Sequence, residues 1–459
     1  MHLARHSITS TTPIQINDAR FDADARIFTA STPSGFAVYR SWPLKLLRKR
    51  EFTGGTLAAV LPLHTSSLLF LLGGGRSPLY PPNKVVLWDD ALGREVAELE
   101  FREKVRGIAC RRGWLAVALR RRVVVFQVGE QVTRFQEWDT GDNEKGLVAI
   151  ATSTFSTLLV ISGRQMGHVQ LIQLPPCPPP APKSPPSPTL PRSPPPKPAK
   201  HPVSIIAAHT TALAALAVVP SGKLLATASN RGTLVRVWDS HSGELLREFR
   251  RGTDKAEIYG VAFRPDEREI CVWSDKGTVH VFSLTVDGRA SNRHSALSPL
   301  TPFLSLPKYF DSEWSFAQYR IPSQTSHISL SSASKLSEIA EGERCNVAWI
   351  EVPKDVAASS GRDSNMEYQL IALTYSGGWY RLSIPGAAPS ARNSSSTSPP
   401  TPSANRLPTR TPLPRPRSSS SSSSAGRGDK GKEKERDSKE GRDCILKEFR
   451  RYGRWDGWG

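Results

Sequence analysis

The chain has 459 residues, Lys+Arg 61 against Asp+Glu 42, a formal net charge of +19 and 38% hydrophobic residues. No apolar run nears the ~18 residues of a membrane-spanning helix; Leu57–Leu63 and Leu68–Leu72 are strand-sized, and Met1–Thr12 lacks a signal-peptide core. Five scattered cysteines (110, 177, 271, 345 and 444) form no CxxC pair, which argues against a disulfide framework and a zinc site and fits a protein kept in the cytosol.

The basic excess is uneven. Leu174–His201 carries four Lys/Arg and no acid, and Pro385–Asp443 carries 12 Lys/Arg against 6 Asp/Glu, together ten of the nineteen charges. Both segments are low-complexity. The stretch 175–202 is proline-rich and is expected to be an extended loop, because proline fixes φ and lacks an N–H. The Ser/Pro/Arg-rich stretch 385–443, with its run Ser418–Ser424, is expected to be disordered. With half the charge outside any folded face, a nucleic-acid partner is not expected.

In chain order, short strand-like runs recur: Ile14–Tyr39, Leu57–Leu99, Val105–Phe135 and Leu147–Ile172 hold the first four units. The fifth is the best formed. Leu213–Val219, Leu224–Ser229, Thr233–Trp238 and Glu244–Phe249 read as four strands joined by the turns Ser221-Gly222, Asn230-Arg231-Gly232 and Ser240–Gly243. Four antiparallel strands in roughly 40 residues make a propeller blade. The sixth unit repeats the pattern at Tyr259–Phe263, Glu269–Trp273 and Thr278–Leu284, and the seventh at Asn346–Glu351, Gln369–Ser376 and Gly378–Ile384. Trp-Asp dipeptides end runs at Asp89, Asp139 and Asp239, and no sustained helical period is present. The expected fold is therefore all-β: a seven-bladed β-propeller of WD-repeat type over 1–384, a disordered insert over 385–443, and a strand over 444–452 that closes blade seven as its outermost member.

The informative chemistry lies in blades five and six. Thr227, Ser229, Gly232, Thr233 and Arg236 are followed by Phe249-Arg250-Arg251-Gly252, then by Ser274, Thr278 and His280. Consecutive residues of an extended chain point to opposite sides, so Arg250 and Arg251 should diverge, each towards Ser/Thr hydroxyls and one towards His280. An arginine fork among hydroxyls suits a phosphate monoester. Gly252 would let the chain turn away. A second pair, Arg450-Arg451, lacks the glycine and the hydroxyls.

These residues resemble the PROPPINs, WD-repeat propellers whose signature is Phe/Leu-Arg-Arg-Gly. Asn83–Asp90, Gly167–Leu171, Gly277–Phe282 and Pro307–Gln318 also look like family stretches. The resemblance implies binding of phosphatidylinositol 3-phosphate and phosphatidylinositol 3,5-bisphosphate, a role in autophagy, and a peripheral place on vacuolar, endosomal and pre-autophagosomal membranes. It implies one pocket of Thr227, Ser229, Gly232, Thr233, Arg236 and Arg250, and another of Arg251, Ser274, Thr278 and His280. It also implies that the blade-six loop 286–306, with Leu297, Leu300, Phe303, Leu304 and Leu306, dips into the bilayer. The autophagy lipid-transfer protein would bind blades one to three, near Asp22, Asp24, Asp89 and Asp90. Asn230 and Trp273 depart from smaller or acidic family residues and put pocket shape in question. No cofactor is expected. No phosphate-cradling loop, HExxH or nucleophile elbow is present, so an enzyme is not expected. The alternative is a WD-repeat interaction scaffold without lipid binding, in which the same polar residues serve the blades.

Overall fold

In a computed structural model, residues 16–176, 202–285, 292–293, 312–322, 343–353, 366–384 and 443–453 are described. They contain strands and turns and no helix. Among the described residues seven sheets follow one another, antiparallel but for one short added strand. Blade one is β1–β4 (Asp18–Phe21, Ile27–Thr32, Gly35–Arg40, Lys45–Glu51) and blade two is β5–β8 (Leu57–Pro62, Leu68–Gly73, Lys84–Asp89, Arg94–Glu100). Blade three is β9–β12 (Gly107–Arg111, Trp114–Ala118, Arg122–Val128, Val132–Asp139), and blade four is β13–β16 (Val148–Ile150, Leu158–Ser162, His168–Gln173, Ile205–Ala207). Blade five is β17–β20 (Leu213–Val218, Leu224–Ser229, Leu234–Asp239, Leu245–Arg250). Blade six joins β21–β23 (Ile258–Phe263, Glu269–Ser274, Thr278–Ser283) to β25 (Ala317–Arg320), and the short β24 (Glu313–Trp314) lies between them in sequence. Blade seven is β26–β29 (Cys345–Pro353, Met366–Thr374, Gly378–Ser383, Ile445–Arg451).

The expected seven-bladed propeller is what forms. Its core is divided in the way that strand alternation dictates. Each sheet is apolar on both faces, so apolar side chains pack between neighbouring blades rather than in one central mass. Seven buried clusters result, one for each junction: Phe36 and Trp88 between blades one and two, Phe70 and Leu115 between two and three, and so on round to Phe28 and Trp379 between seven and one. The last junction closes the ring. Tyr452, just past β29, is buried edge-on against Phe28 and Tyr39 at 5.3 and 5.8 Å, and its hydroxyl donates to Thr374 O at 2.7 Å. β29 is the outermost strand of blade seven, with Gly378 opposite Arg451 and Ser383 opposite Ile445.

Three details differ from the sequence reading. Blade one gains a fourth strand at Lys45–Glu51, whose exposed pattern carries no core signal. Blade four takes its outer strand, Ile205–Ala207, from beyond the proline-rich segment. Trp138-Asp139 ends an outer strand, whereas Trp88-Asp89 and Trp238-Asp239 end third strands, so the three dipeptides are not equivalent.

Candidate functional site

The pairing register of blade five decides where each arginine points. Thr227 lies opposite Arg236 and Arg236 opposite Glu248, and Arg250 shares their face because it is two residues beyond Glu248. That face packs on blade four through Leu225 and Trp238. The other face, with Val235 and Phe249, packs on Ile270, Val272 and Phe282 of blade six. Ser274, Thr278 and His280 alternate in step with those blade-six residues, so they line the side turned to blade five. Arg250 therefore faces the junction of blades four and five, and Arg251 that of blades five and six. Both are almost buried, at 7% exposure each.

The two guanidiniums are held differently. Arg250 lies over the ring of Trp314, its Cζ 5.7 Å from the centroid, a cation–π contact of roughly 0.5–2 kcal/mol. Trp314 reaches it because β24 adds to β20 in parallel, Arg250 opposite Trp314. Arg251 donates through Nε to Gly232 O at 3.0 Å and through a terminal nitrogen to Asp254 O. Burial lowers the Arg251 pKa, partly opposed by Asp275 and Asp254.

Gly232 is required here. Its φ is +65°, and a Cβ would sit 1.8 Å from Ala256 O. Gly252, by contrast, has open space around it and no left-handed φ. The turn expected of Gly252 thus carries no steric demand for glycine, which is a correction to the sequence reading.

Around Arg236 the site is a network. Its Nε donates to Glu248 Oε2 at 2.8 Å and its Nη1 to Ala208 O at 2.7 Å. Thr227 is fully buried, and its hydroxyl meets His209 Nε2 at 2.9 Å and the Trp238 indole N–H at 3.0 Å. The Thr227 hydroxyl thus faces the blade interior and is engaged there, which corrects the expectation that it lines a pocket wall. His209 is pushed down to about 4 by burial first and by Arg236 second, so it is a neutral imidazole at pH 7. Ser229 is buried on the same face, and Thr233, just before β19, accepts at its carbonyl from Arg251 N at 2.9 Å.

On the blade-six side, Ser274 is fully buried and Thr278 half-buried. His280 Nδ1 lies 3.2 Å from Ser315 Oγ. Its pKa is lowered to about 4 by burial, then by Arg251 and Arg293. Trp273 turns away into the junction with blade seven, donating to Cys345 O at 2.9 Å, so it does not shape this side of the blade. The exposed Asn230 stands at the hairpin tip.

Residues missed from the sequence are His209, Glu248, Arg293, Trp314 and Ser315. Arg293, Trp314 and Ser315 belong to the stem of the blade-six connection, which pairs with itself (Arg293 opposite Trp314) and with blade five. Nothing in local periodicity marks such a stem. Glu248 was legible in principle, two residues before Arg250 on one face of a strand. Leu297, Leu300, Phe303, Leu304 and Leu306, expected to enter a bilayer, lie outside the described residues.

The four acids named for blades one and two differ in their surroundings. Asp22 is 6% exposed and accepts from Ile27 N at 3.1 Å, and burial raises it to about 6. Asp90 is 8% exposed and takes Arg50 Nε at 2.6 Å, joining blade two to blade one. Asp89 accepts from Ala91 N at 2.9 Å in a turn. Asp24 alone is exposed. Acids next to strand ends are drawn into backbone caps and cross-blade pairs, which local composition does not reveal.

Arg450 and Arg451 lie on the outer edge of blade seven. There Arg450 pairs with Glu448 at 2.5 Å, and both arginines are exposed.

A family model for the PROPPINs matches residues 198–328, the stretch that holds every one of these blade-five and blade-six residues. The chain is similar to SVP1-like protein 2 of Pichia angusta, 31% identical over 326 residues, which cover 70% of this chain and 84% of that protein. It is also similar to autophagy-related protein 18e of Arabidopsis thaliana, 32% identical, covering 66% of this chain and 74% of the relative. Among solved structures, Hsv2 of Kluyveromyces lactis superposes with a TM-score of 0.55 at 21% identity, covering 81% of this chain and 93% of that one, a likeness of fold.

Proposed function

The chain belongs to the PROPPIN family, and from that premise we propose that it is a phosphoinositide effector that binds phosphatidylinositol 3-phosphate and phosphatidylinositol 3,5-bisphosphate and recruits autophagy machinery to vacuolar, endosomal and pre-autophagosomal membranes. The observation that carries this reading is the pair Arg250-Arg251. Two adjacent guanidiniums are nearly buried yet aimed into different blade junctions. Burying two like charges side by side is costly unless something anionic meets them. A phosphate monoester in each junction is such an anion, and it accepts from a planar, forked donor.

The first site takes the phosphate between Arg236 and Arg250, with Ser229, Gly232 and Thr233 around it. Thr227 acts there through His209 and strand β18 rather than by touching the ligand. The second takes it between Arg251, Ser274, Thr278 and His280. His280 is a neutral imidazole at pH 7 when the site is empty and can offer the phosphate a ring N–H. Two headgroup sites on one rim, with the apolar residues of segment 286–306 as a further attachment, would hold the ring edge-on to a bilayer. Several weak attachments are then multiplied by effective concentration. A protein partner at blades one to three would meet Asp24, the one exposed acid of the four.

Vesicles carrying each phosphoinositide in turn test this. The wild type should sediment with those bearing a 3-phosphate and stay in solution with phosphatidylinositol alone, and Arg250→Thr or Arg251→Thr singly should keep part of the binding. A WD-repeat scaffold without lipid binding would sediment with none.

A further inference from the structure

Both arginines of the first site are tied to the stem of the blade-six connection. Arg250 touches it directly through Trp314. Arg236 touches it through one carboxylate. Glu248 accepts from Arg236 Nε with Oε2 at 2.8 Å and from Ser312 Oγ with Oε1 at 3.0 Å. The stem has further ties to blades five and six. Asn292 is buried, accepts from Ser283 N at 2.8 Å, and donates to Ser283 O at 2.7 Å and to Glu313 Oε2 at 2.5 Å. Glu313 also faces Arg247 at 3.9 Å. Arg293 donates to Ser315 O at 3.1 Å.

We propose that Glu248 is a positioning residue that couples occupancy of the phosphate site of Arg236 and Arg250 to the order of the stem 312–314. This rests on the phosphoinositide reading above. The physical argument is entropic and reciprocal. Empty, Arg236 is held by Nε and one Nη1 bond, and the contact that ties Arg250 to Trp314 is a cation–π contact of low directionality. A phosphate monoester that bridges the two fixes both guanidinium planes. A fixed Arg236 fixes Glu248, which then offers Ser312 an acceptor with no further freedom to lose. A fixed Arg250 does the same for the indole of Trp314. Ordering the stem first likewise lowers the cost of binding phosphate, by the same factor. The ligand class is a phosphate monoester, whether on a lipid headgroup or free.

Amide hydrogen exchange of the full chain tests the coupling, with the soluble headgroup inositol 1,3-bisphosphate and with inorganic phosphate as separate probes. Saturation with the headgroup should slow exchange of the 312–316 amides by at least about fivefold in the wild type, the lower end of ordinary coupling. Inorganic phosphate should do the same at higher concentration, which shows that the monoester and not the inositol ring is read. Glu248→Gln keeps the shape and loses the charge. It should still bind the headgroup, but the protection of 312–316 should fall to less than half of the wild-type effect. Ser312→Ala leaves the Arg236–Glu248 pair in place and should act on the stem alone. Equal protection in wild type, Glu248→Gln and Ser312→Ala would overturn the coupling, as would unchanged stem exchange in a wild type that binds. A wild type that binds neither probe overturns the phosphoinositide reading, and the coupling with it.

Discussion

Thr227 shows how one hydroxyl can be misread. It sits among phosphate-site candidates in sequence, yet it is sealed against His209 and the Trp238 indole. Thr227→Val keeps the shape and strands two buried polar groups, at about 1–3 kcal/mol each. We expect chemical denaturation to show a loss of about 2–6 kcal/mol for the two together, and Thr227→Ser to stay near wild type. His280 gives a prediction of definite sign. Its pKa is about 4 folded against 6.5 for a free imidazole, so the unfolded chain binds the extra proton between those values. Its contribution to stability is complete above pH 6.5 and is lost as the pH falls towards 4. The carboxyls of Asp22, Glu269 and Glu343, raised by burial, act in the opposite sense. They are common to wild type and His280→Gln. The wild type should therefore lose more unfolding free energy than His280→Gln between pH 6.5 and 4, and parallel profiles would contradict the assignment.

At the scale of elements, blade five was legible almost strand by strand, because its apolar alternation is bounded by glycine turns and a Trp-Asp end. What escaped were elements whose reason lies elsewhere in the chain. β4 has exposed residues and exists because β3 offers it an edge; β24 is two residues long and exists because β20 does. The site was legible as a set of residue types, and its division between two blade junctions followed from alternation alone. The pairing of Arg236 with Glu248 did not, since it depends on the register of β20 against β19, which is shifted by a bulge at Val237/Trp238. β29 carries its own prediction. Truncating the chain at Pro385 removes the outer strand of blade seven and with it Tyr452, which seals blade one. Thermal unfolding should fall by ten degrees or more, on the order of a fully buried aromatic plus an exposed strand edge. Replacing 386–441 with a short Gly-Ser linker should leave it near wild type, because Ser383 and Ile445 are already opposite one another. Equal stability of the two shortened proteins would refute the closing role.

At the scale of the whole molecule, seven inter-blade cores make the ring a frame, and the rim between blades four and six is where that frame buries two adjacent arginines. The second arginine pair tests whether location matters more than sequence. Arg450 and Arg451 stand on an exposed edge beside Glu448, so replacing both by threonine should leave vesicle binding unchanged. The decisive measurement is sedimentation with vesicles bearing phosphatidylinositol 3-phosphate for the variant carrying Arg250→Thr and Arg251→Thr together. The account predicts that this variant, folded and with a near-normal melting temperature, remains in the supernatant while the wild type pellets; a double variant that pellets as well as wild type would contradict it.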